Sequence, residues 1–239
     1  MKLLDLTLPS PAENLACDEA LLDAAEAGEG GEVLRFWESQ PPFVVVGYAN
    51  RVAAEVNVAA CKARGIPILR RCTGGGTVVQ GPGCLNYALI LRIEEAGPTR
   101  SISAANHFIM ERNRTAMEAL LNRSVCVQGH TDITIGGLKC SGNSQRRRRK
   151  FLLFHGTFLL NFDLGLIGEL LPMPSLQPDY RQRRDHGQFL INLNLPAGKV
   201  REALQTVWGA MGVLPTLRRE KISALAQGKY STAAWNLKC

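Results

Sequence analysis

The segment best suited to chemistry is a glycine-rich loop that follows two arginines. Residues 70–77 read Arg-Arg-Cys-Thr-Gly-Gly-Gly-Thr. Three consecutive glycines cost conformational entropy on folding, but they let successive N–H groups turn inward and form an anion-binding concavity. Arg70 and Arg71 can bind phosphate or carboxylate oxygens through their forked guanidinium groups. The spacing matches neither the Walker A nor the Rossmann glycine pattern, and a solvated hairpin loop stays open as the alternative.

A second candidate is a lysine on a tight hairpin. Residues 132–144 read DITIGGLKCSGNS, and two glycines between short strand-like runs predict a primed β-turn. Alternation along the second strand places Lys139 and Ser141 on the face opposite to Leu138 and Cys140. If that face lines a pocket, Lys139 supplies a point charge to an anion. On spacing alone, an ordinary surface lysine is the simpler interpretation.

Three further features have both a structural and a functional interpretation. His155 interrupts an apolar run and is followed by Gly156 and Thr157; a histidine there is usually satisfied by its neighbours, whereas a glycine within a strand indicates close approach of a ligand or another backbone. Residues Arg146–Lys150 carry five positive charges in a row, which predicts a solvated loop and fits docking of an acidic protein equally well. Cys126 and Cys140 lie near these motifs, and a thiol becomes a nucleophile only beside a base or cation.

Strands and helices in no strict alternation must position these residues. Helices are predicted for residues 10–27, with Ser10 as the cap, and for 52–64, 103–122 and 197–212. Strands are predicted for residues 33–37, 43–47, 68–72, 85–93, 132–135, 138–141, 151–161 and 189–195. We expect one α/β (α+β) domain around a mixed sheet.

Composition excludes several classes of protein. The 239 residues are 46% hydrophobic and 21% charged, which excludes collagen, coiled coil and wholesale disorder. Apolar runs stop far short of the ~18 residues of a membrane span, and Asp5 interrupts the stretch that a signal peptide would need. The net charge of +7 favours polyanionic or acidic partners. Seven cysteines without a C-x-x-C pair indicate a reduced, cytoplasmic chain.

Taken together, these segments resemble the lipoate–protein ligase A family. The resemblance spans nearly the whole chain, in segments whose order matches the family: residues 14–21 (NLACDEAL), 34–37 (LRFW), 70–79 (RRCTGGGTVV) with 85–87, 129–145 (GHTDITIGGLKCSGNSQ), 155–164 (HGTFLLNFDL), 229–231 and 235–236. It implies a biotin/lipoate-ligase-like catalytic domain, a mixed β-sheet flanked by helices. Residues 1–239 would form this single domain, without the small C-terminal accessory domain of bipartite ligases.

The resemblance also implies an activity. Lipoate or octanoate reacts with MgATP to give an acyl-adenylate and pyrophosphate, and the acyl group then passes to a specific lysine of an acceptor lipoyl-domain protein. Such catalysis is mostly positioning and charge neutralisation. By resemblance, Lys139 bridges the acyl carboxylate and the α-phosphate, Arg71 with Arg70 binds the nucleotide phosphates, and Asp132 helps to hold Mg²⁺. The remaining implied ATP- and lipoate-binding residues are Gly74, Gly75, Gly76, Thr77, Val78, Val79, Asn86, His155, Gly156 and Thr157.

The net positive charge has a role in the activity that the resemblance implies. Lipoyl domains tend to be acidic, so a basic face would speed encounter with the acceptor. The residues expected to form that docking face are Arg146, Arg147, Arg148 and Arg149. Nucleic acid has little support as a partner, since neither interleaved aromatic residues nor a known binding motif accompanies the arginines.

The sequence departs from the family pattern at two places. His130-Thr131-Asp132 stands where members often carry Arg-Asn-Asp, and residues 80–83 (QGPG) replace the usual His-Asp turn. A requirement for a separate accessory subunit stays open. The alternative from the same fold is an ATP-independent octanoyl- or lipoyltransferase, which takes its acyl group from an acyl carrier protein or a lipoyl protein and uses a cysteine nucleophile. Cys126 is near the required loop, but it aligns with a strand ahead of it.

Overall fold

The chain folds around two sheets. A computed structural model describes residues 1–214 and 217–238. The described strands are β1 (Lys2–Asp5), β2 (Val33–Trp37), β3 (Phe43–Val46), β4 (Ile68–Arg70), β5 (Val78–Gln80), β6 (Cys84–Arg92), β7 (Cys126–Gln128), β8 (Asp132–Ile135), β9 (Leu138–Arg147), β10 (Phe151–Leu159) and β11 (Gly212–Val213). The described α-helices are α1 (Pro11–Glu26), α2 (Val52–Glu55), α3 (Val58–Ala63), α4 (Ile102–Leu121), α5 (Leu164–Leu170), α6 (His186–Phe189), α7 (Ala197–Trp208), α8 (Arg219–Leu225) and α9 (Ala233–Asn236).

The larger sheet is mixed, as predicted. Its eight described strands run in the order β11-β1-β2-β6-β10-β9-β8-β7. β1 is parallel to β2 and β11, and the other neighbours are antiparallel. The smaller sheet has the order β4-β3-β5, with β4 parallel and β5 antiparallel to β3.

Helices cover both faces of the larger sheet. α1 begins with the predicted capping box, in which Ser10 Oγ accepts from the Glu13 N–H at 3.2 Å and the Glu13 carboxylate accepts from the Ser10 N–H at 3.0 Å. It packs on one face through a cluster that includes Leu15, Ala16, Leu22, Trp37, Ala88 and Leu153. α4 and α7 pack on the other face through a cluster that includes Leu89, Ile109, Met117, Phe154, Val200 and Leu204.

The smaller sheet has a core of its own. Val44 and Val46 of β3 pack with Phe162 and with Ile167 and Leu170 of α5. This third cluster fixes the small sheet beside the end of β10, so that β5 and the loop before it face the central strands of the large sheet. Within the described residues, none of the helices has the length and apolarity needed to cross a bilayer.

Two predicted elements were wrong. The helix expected over residues 52–64 is two short helices, because Val56 is extended and the Asn57 side chain caps α3 by accepting from the Ala60 N–H. The strand expected over residues 189–195 is the end of α6 followed by irregular chain, with a single bridge between Leu190 and Lys139. α7 also ends earlier than residue 212, at Gly209, whose φ of 58° is left-handed.

The solvated loop predicted for the arginine run is confined to residues 148–150, which are exposed and lie outside the strands. Arg146 and Arg147 are the last residues of β9, and Phe151 begins β10, so the run spans a hairpin. Arg146 donates to the Cys72 carbonyl at 2.9 Å and Arg147 to the Thr99 carbonyl at 2.8 Å. Strand pairing and these bonds order the first half of the run.

Candidate active site

A cavity of about 940 Å³ lies between the small sheet and the central strands of the large sheet. Its polar walls come from the glycine loop (residues 73–77), from the β8–β9 hairpin and from β10. Residues 171–190, here called the cover segment, line a further side. Predicted site residues that line the cavity are Arg71, Gly75, Gly76, Thr77, Val78, Val79, Asn86, Asp132, Lys139, His155, Gly156 and Thr157. Arg70, Gly74 and Arg146 to Arg149 are not among its lining residues.

The predicted lysine faces this cavity. Gly136 and Gly137, with φ values of 57° and 78°, form the turn that returns the chain from β8 to β9. Lys139 Nζ lies 2.8 Å from Asp132 Oδ1, and the other oxygen of Asp132 accepts from the Tyr180 hydroxyl at 2.7 Å. A Cβ at Gly142 would lie only 2.8 Å from Lys139 Cε, so the glycine makes room for the lysine to fold across β9. The arrangement holds an ion pair of lysine and aspartate at the cavity wall.

Arg71 organises the glycine loop from inside. Its guanidinium donates to the carbonyls of Gly74 at 2.5 Å and Gly76 at 2.7 Å, and to Thr73 Oγ1 at 3.0 Å. Burial lowers the pKa of Arg71 to about 10, which leaves it charged at neutral pH. Because its hydrogen bonds go to carbonyls of the loop itself, Arg71 fixes the shape of the loop around the cavity.

Arg70 has a different role from the one predicted. It is fully buried and donates to the carbonyls of Gly47 at 2.8 Å, Asn50 at 2.7 Å and Lys238 at 2.7 Å. Adjacent residues of a strand point to opposite sides, so Arg70 points away from the side that Arg71 occupies. This placement contradicts the predicted phosphate contact of Arg70, whose donors stabilise the chain around β4.

His155 belongs to a buried polar chain. Arg35 Nη1 donates to Asp18 Oδ1 at 2.5 Å, Asp18 Oδ2 lies 3.0 Å from His155 Nδ1, and His155 Nε2 lies 2.7 Å from Thr73 Oγ1. Burial pushes the pKa of Asp18 upward, but the charge of Arg35 and the hydrogen bond of His155 outweigh it and hold that pKa below its ordinary value. The chain ties α1, β2 and β10 to the start of the glycine loop.

A second polar row lies beside it. Gln80 Nε2 donates to Thr157 Oγ1 at 2.9 Å, and the Thr157 hydroxyl donates to Asn86 Oδ1 at 2.6 Å. The glycine between His155 and Thr157 is required by a side chain, since a Cβ at Gly156 would lie 1.6 Å from Asn143 Oδ1. The close approach predicted at Gly156 is therefore made by Asn143 of β9.

The described cysteines are Cys17, Cys61, Cys72, Cys84, Cys126 and Cys140. No cysteine among the described residues lines the cavity. Burial raises the pKa of Cys17 to about 11 and the pKa values of Cys72, Cys84 and Cys140 to about 12, so these thiols stay protonated at neutral pH. Cys126 is exposed on β7. Cys239 lies outside the described residues.

The side chains available near the cavity determine whether Asp132 could be the predicted magnesium ligand. Across residues 1–214 and 217–238, no three His, Cys, Asp or Glu side chains are grouped closely enough to hold a metal ion. Asp132 is a single carboxylate at the cavity wall, already in contact with Lys139 and Tyr180. Mg²⁺ that arrives on a nucleotide keeps phosphate and water ligands and needs only one or two carboxylates, and Asp132 fits that limited role.

Sequence reasoning missed the residues of the cover segment. Tyr180 and Phe189 line the cavity from it and pack ring to ring with centroids 5.2 Å apart. The segment has several prolines and no regular hydrophobic period, and its short α6 is capped by Asp185. No motif in this segment points to the cavity.

Fold and site together define a catalytic domain of the lipoate-ligase type. The chain belongs to the lipoyl protein ligase A/B catalytic domain family, whose model matches residues 10–195, and it is therefore an enzyme that acts on lipoyl or octanoyl groups. Octanoyltransferase LipM of Geobacillus kaustophilus is 26% identical over 95% of this chain and 94% of its own length. LipM of Kyrpidia tusciae is 28% identical over 98% and 97%.

Solved structures share the fold. A bipartite lipoate protein ligase of Thermoplasma acidophilum, studied with its E2 lipoyl domain, superposes with a TM-score of 0.84 at 22% identity and covers 99% of this chain and 95% of that chain. A lipoate-protein ligase A bound with ATP gives a TM-score of 0.82 at 24% identity, over 99% and 98%. At these identities the likeness establishes the architecture.

Proposed function

We propose that this enzyme activates lipoate, or octanoate, with ATP and transfers the acyl group to a lysine of an acceptor lipoyl-domain protein. The observation that carries the proposal is the Lys139 ammonium group at the wall of a cavity that the glycine loop also lines. An acyl carboxylate and an α-phosphate are both anions, and a cation held between them lowers the barrier to their approach. A structural relative bound with ATP supports the nucleotide as co-substrate.

Residues of this chain would take part in each step of the reaction. Lys139 would leave Asp132 to contact the carboxylate and α-phosphate oxygens, and Asp132 would then be available to Mg²⁺ on the nucleotide. Gly75, Gly76 and Thr77 would wrap the adenylate, while Val78 and Val79 would line the start of the acyl tunnel. Arg71, which the resemblance assigns to the nucleotide phosphates, would instead fix the loop, because its guanidinium already donates to the Gly74 and Gly76 carbonyls. In the second step, an acceptor lysine attacks the acyl carbonyl and AMP leaves with the electron pair.

The acceptor supports the same proposal. The Thermoplasma acidophilum ligase was studied with its E2 lipoyl domain, and a lipoyl-domain protein is the partner that we propose here. An acidic face on that partner would complement the exposed Arg148 and Arg149. Residues 1–239 would act as one catalytic domain, and an accessory subunit would be needed only if the purified chain fails to form the adenylate.

The second candidate function is ATP-independent octanoyl transfer. The names of full-length curated relatives favour it. It requires a thiolate nucleophile at the acyl group, whereas no described cysteine lines the cavity and the buried thiols have raised pKa values. The thiol placement is the reason that we rank ATP-dependent ligation first.

Lipoate-dependent exchange of pyrophosphate into ATP tests the first step. Purified protein with MgATP and labelled pyrophosphate should exchange label with lipoate or octanoate and not without an acid. Absence of exchange, together with a cysteine acylated by octanoyl-acyl carrier protein, would replace this proposal by the transferase. Exchange without transfer to a lipoyl domain would retain activation and reject the acceptor.

A further inference from the structure

The outer edge of β4 is covered by side chains instead of a strand. Among the described strands, β4 pairs with β3 alone, and an edge strand presents backbone groups that need other partners. The N–H of Arg70 donates to Asn236 Oδ1 at 2.9 Å, and its carbonyl accepts from Trp235 Nε1 at 2.8 Å. Two neighbouring side chains of α9 thus take the place of a strand at Arg70, three residues before the glycine loop.

The Arg70 side chain extends this contact toward the loop. Its fully buried guanidinium donates to the Trp235 carbonyl at 3.1 Å and to the Gly47 carbonyl at 2.8 Å. A Cβ at Gly47 would collide with the Gly75 carbonyl, and the N–H of Tyr48 donates to the first carbonyl of the loop at 2.8 Å. The chain that Arg70 holds therefore lies directly against the glycine loop.

The segment that carries Trp235 and Asn236 is anchored to α1. The Tyr230 hydroxyl donates to Glu19 Oε2 at 2.7 Å, and Lys229 Nζ lies 2.5 Å from the same oxygen. Glu19 is nearly fully buried, so the anchor is shielded from solvent. Asn236 Nδ2 donates to the Tyr230 carbonyl at 2.8 Å while its oxygen accepts from β4. One amide side chain therefore bridges the anchor on α1 and the strand before the glycine loop.

We propose that Trp235 and Asn236 are positioning residues, which hold β4 and thereby keep the glycine loop in the conformation that binds substrate. Neither residue lines the cavity, so both act through Arg70 and not by touching a ligand. This inference rests on the function proposed above, in which the loop wraps the adenylate. When only a fraction of the molecules holds the loop in its binding conformation, the apparent Kd rises by the inverse of that fraction, whereas saturating ligand restores the bound state.

Single substitutions remove the contacts of α9 with β4. Trp235→Phe removes the Nε1 donor and keeps an aromatic ring beside Lys238, and Asn236→Leu removes both amide bonds at similar volume. Each variant loses a hydrogen bond to the buried backbone of Arg70, and such bonds are costly to lose. We expect the KM for ATP in lipoate-dependent pyrophosphate exchange to rise about 10-fold, while kcat stays within about 2-fold of wild type.

Cleavage by trypsin gives a readout that does not depend on catalysis. Trypsin cuts after arginine, and a buried arginine is cut only in molecules whose chain has opened at that place. Initial cleavage after Arg71 should be about 10-fold faster in both variants. Cleavage after Arg35, which is fully buried in β2, should not change, because only the region of β4 is released. Mass spectrometry of the fragments measures both rates in one sample.

Trp208→Phe is the matched control. Trp208 lies in the cluster beneath α4 and α7, where its Nε1 donates to Asn113 at 2.8 Å. This substitution also removes an indole hydrogen bond from the core and should lower the melting temperature. It should leave both the KM for ATP and the cleavage after Arg71 unchanged, because Trp208 has no contact with β4.

Several outcomes would overturn the positioning role. Unchanged KM in the folded variants would do so, as would a fall in kcat at constant KM. Equal increases in cleavage after Arg71 and Arg35 would also overturn it, since they would mean a loss of global stability. If one variant does not fold, the other decides. Absence of pyrophosphate exchange in the wild-type protein would reject the proposed function, and the ratio of the two cleavage rates would then decide the positioning role alone.

Discussion

At the scale of single residues, the positive charge at the cavity wall is balanced by a neighbouring carboxylate. Lys139 pairs with Asp132, and Asp132 also accepts from Tyr180. An anionic substrate that displaces the carboxylate from Lys139 leaves Asp132 with the Tyr180 hydroxyl as a remaining donor. The charge of Asp132 would then need a new counter-ion, because a hydroxyl donates a hydrogen bond but carries no charge.

Lys139→Ala should abolish adenylate formation without unfolding the protein. The substitution removes the cation that the reacting anions need, and the side chain is only partly buried, so the core is not disturbed. Pyrophosphate exchange and the melting temperature are the two measurements. Lys199→Ala removes an exposed lysine as the control and should retain full exchange. Exchange at more than about one-hundredth of the wild-type rate in Lys139→Ala would remove this residue from its assigned role.

Cys126→Ser should retain both half-reactions. Cys126 is exposed on β7 and does not line the cavity, and a serine there costs no buried contact. The four buried thiols with pKa values near 11 or 12 should also resist iodoacetamide in the folded protein at about pH 8, because little thiolate is present. Mass spectrometry of the alkylated chain and an acyl-transfer assay provide the readouts. Loss of transfer in Cys126→Ser would favour the transferase.

At the scale of elements, the β9–β10 hairpin divides the arginine run into residues bonded to neighbouring loops and residues exposed at the turn. Arg146 and Arg147 bond to carbonyls of neighbouring loops, and Arg148 pairs with Asp23 at 2.8 Å. Arg149 lies exposed in the turn. The sequence predicts the same role for all four arginines, but their contacts differ with their position along the hairpin.

Arg149→Ser should slow acyl transfer to the lipoyl domain by several-fold and leave adenylate formation intact. Only long-range attraction to an acidic acceptor is removed, so the difference should shrink as salt is raised from about 50 to 500 mM. Single-turnover transfer from preformed adenylate measures it. Arg123→Ser, at another exposed position, is the matched control. Equal slowing of both half-reactions would contradict a docking role.

Local signals explain which elements could be predicted from the sequence. The capping box of α1, the β-rich run of β2 and the double glycine of the β8–β9 turn each depend on neighbouring residues, and all three were confirmed. The region around α6 could not be predicted in the same way, because its fold depends on distant contacts with Lys139 and Leu159.

The candidate site could be predicted to a similar extent. Residue types and spacing single out the glycine loop, whereas the role of Lys139 comes from the resemblance to the ligase family, because spacing alone favours an ordinary surface lysine. Nothing in the sequence distinguishes the role of Arg70 from that of Arg71. Their roles differ only through the contacts that each side chain makes in the folded chain. Tyr180 comes to Asp132 across 48 residues of chain, a contact that no local pattern encodes.

At the scale of the whole molecule, a buried ionic chain links the core to the cavity. Arg35 and Asp18 are almost fully buried and join β2 to α1, while His155 and Thr73 extend the chain to the glycine loop. Losing one member of a buried pair leaves the other charge uncompensated. The chain therefore couples global stability to the order of the loop.

Asp18→Asn should destabilise the protein by about 3–5 kcal/mol at neutral pH. The pKa of Asp18 is lowered in the folded state, so the stabilisation by its carboxylate is fully present above the unfolded pKa of about 3.9 and is lost as pH falls through the folded value. Melting curves from about pH 7 to pH 3 should show the variant and wild type converging in acid. A difference that does not change with pH would exclude the charge as its cause. Asp23→Asn, at a surface pair, is the control.

The main chain of Lys139 offers a way to follow the strand that carries this lysine. Its carbonyl accepts from the Ile191 N–H at 3.0 Å, directly after the cover segment ends. The exchange rate of that one amide with deuterated solvent reports how often the segment separates from the strand that carries the lysine. A ligand that closes the cavity should slow this exchange. The exchange rate of one backbone amide would therefore report whether a substrate is bound and whether the product has left.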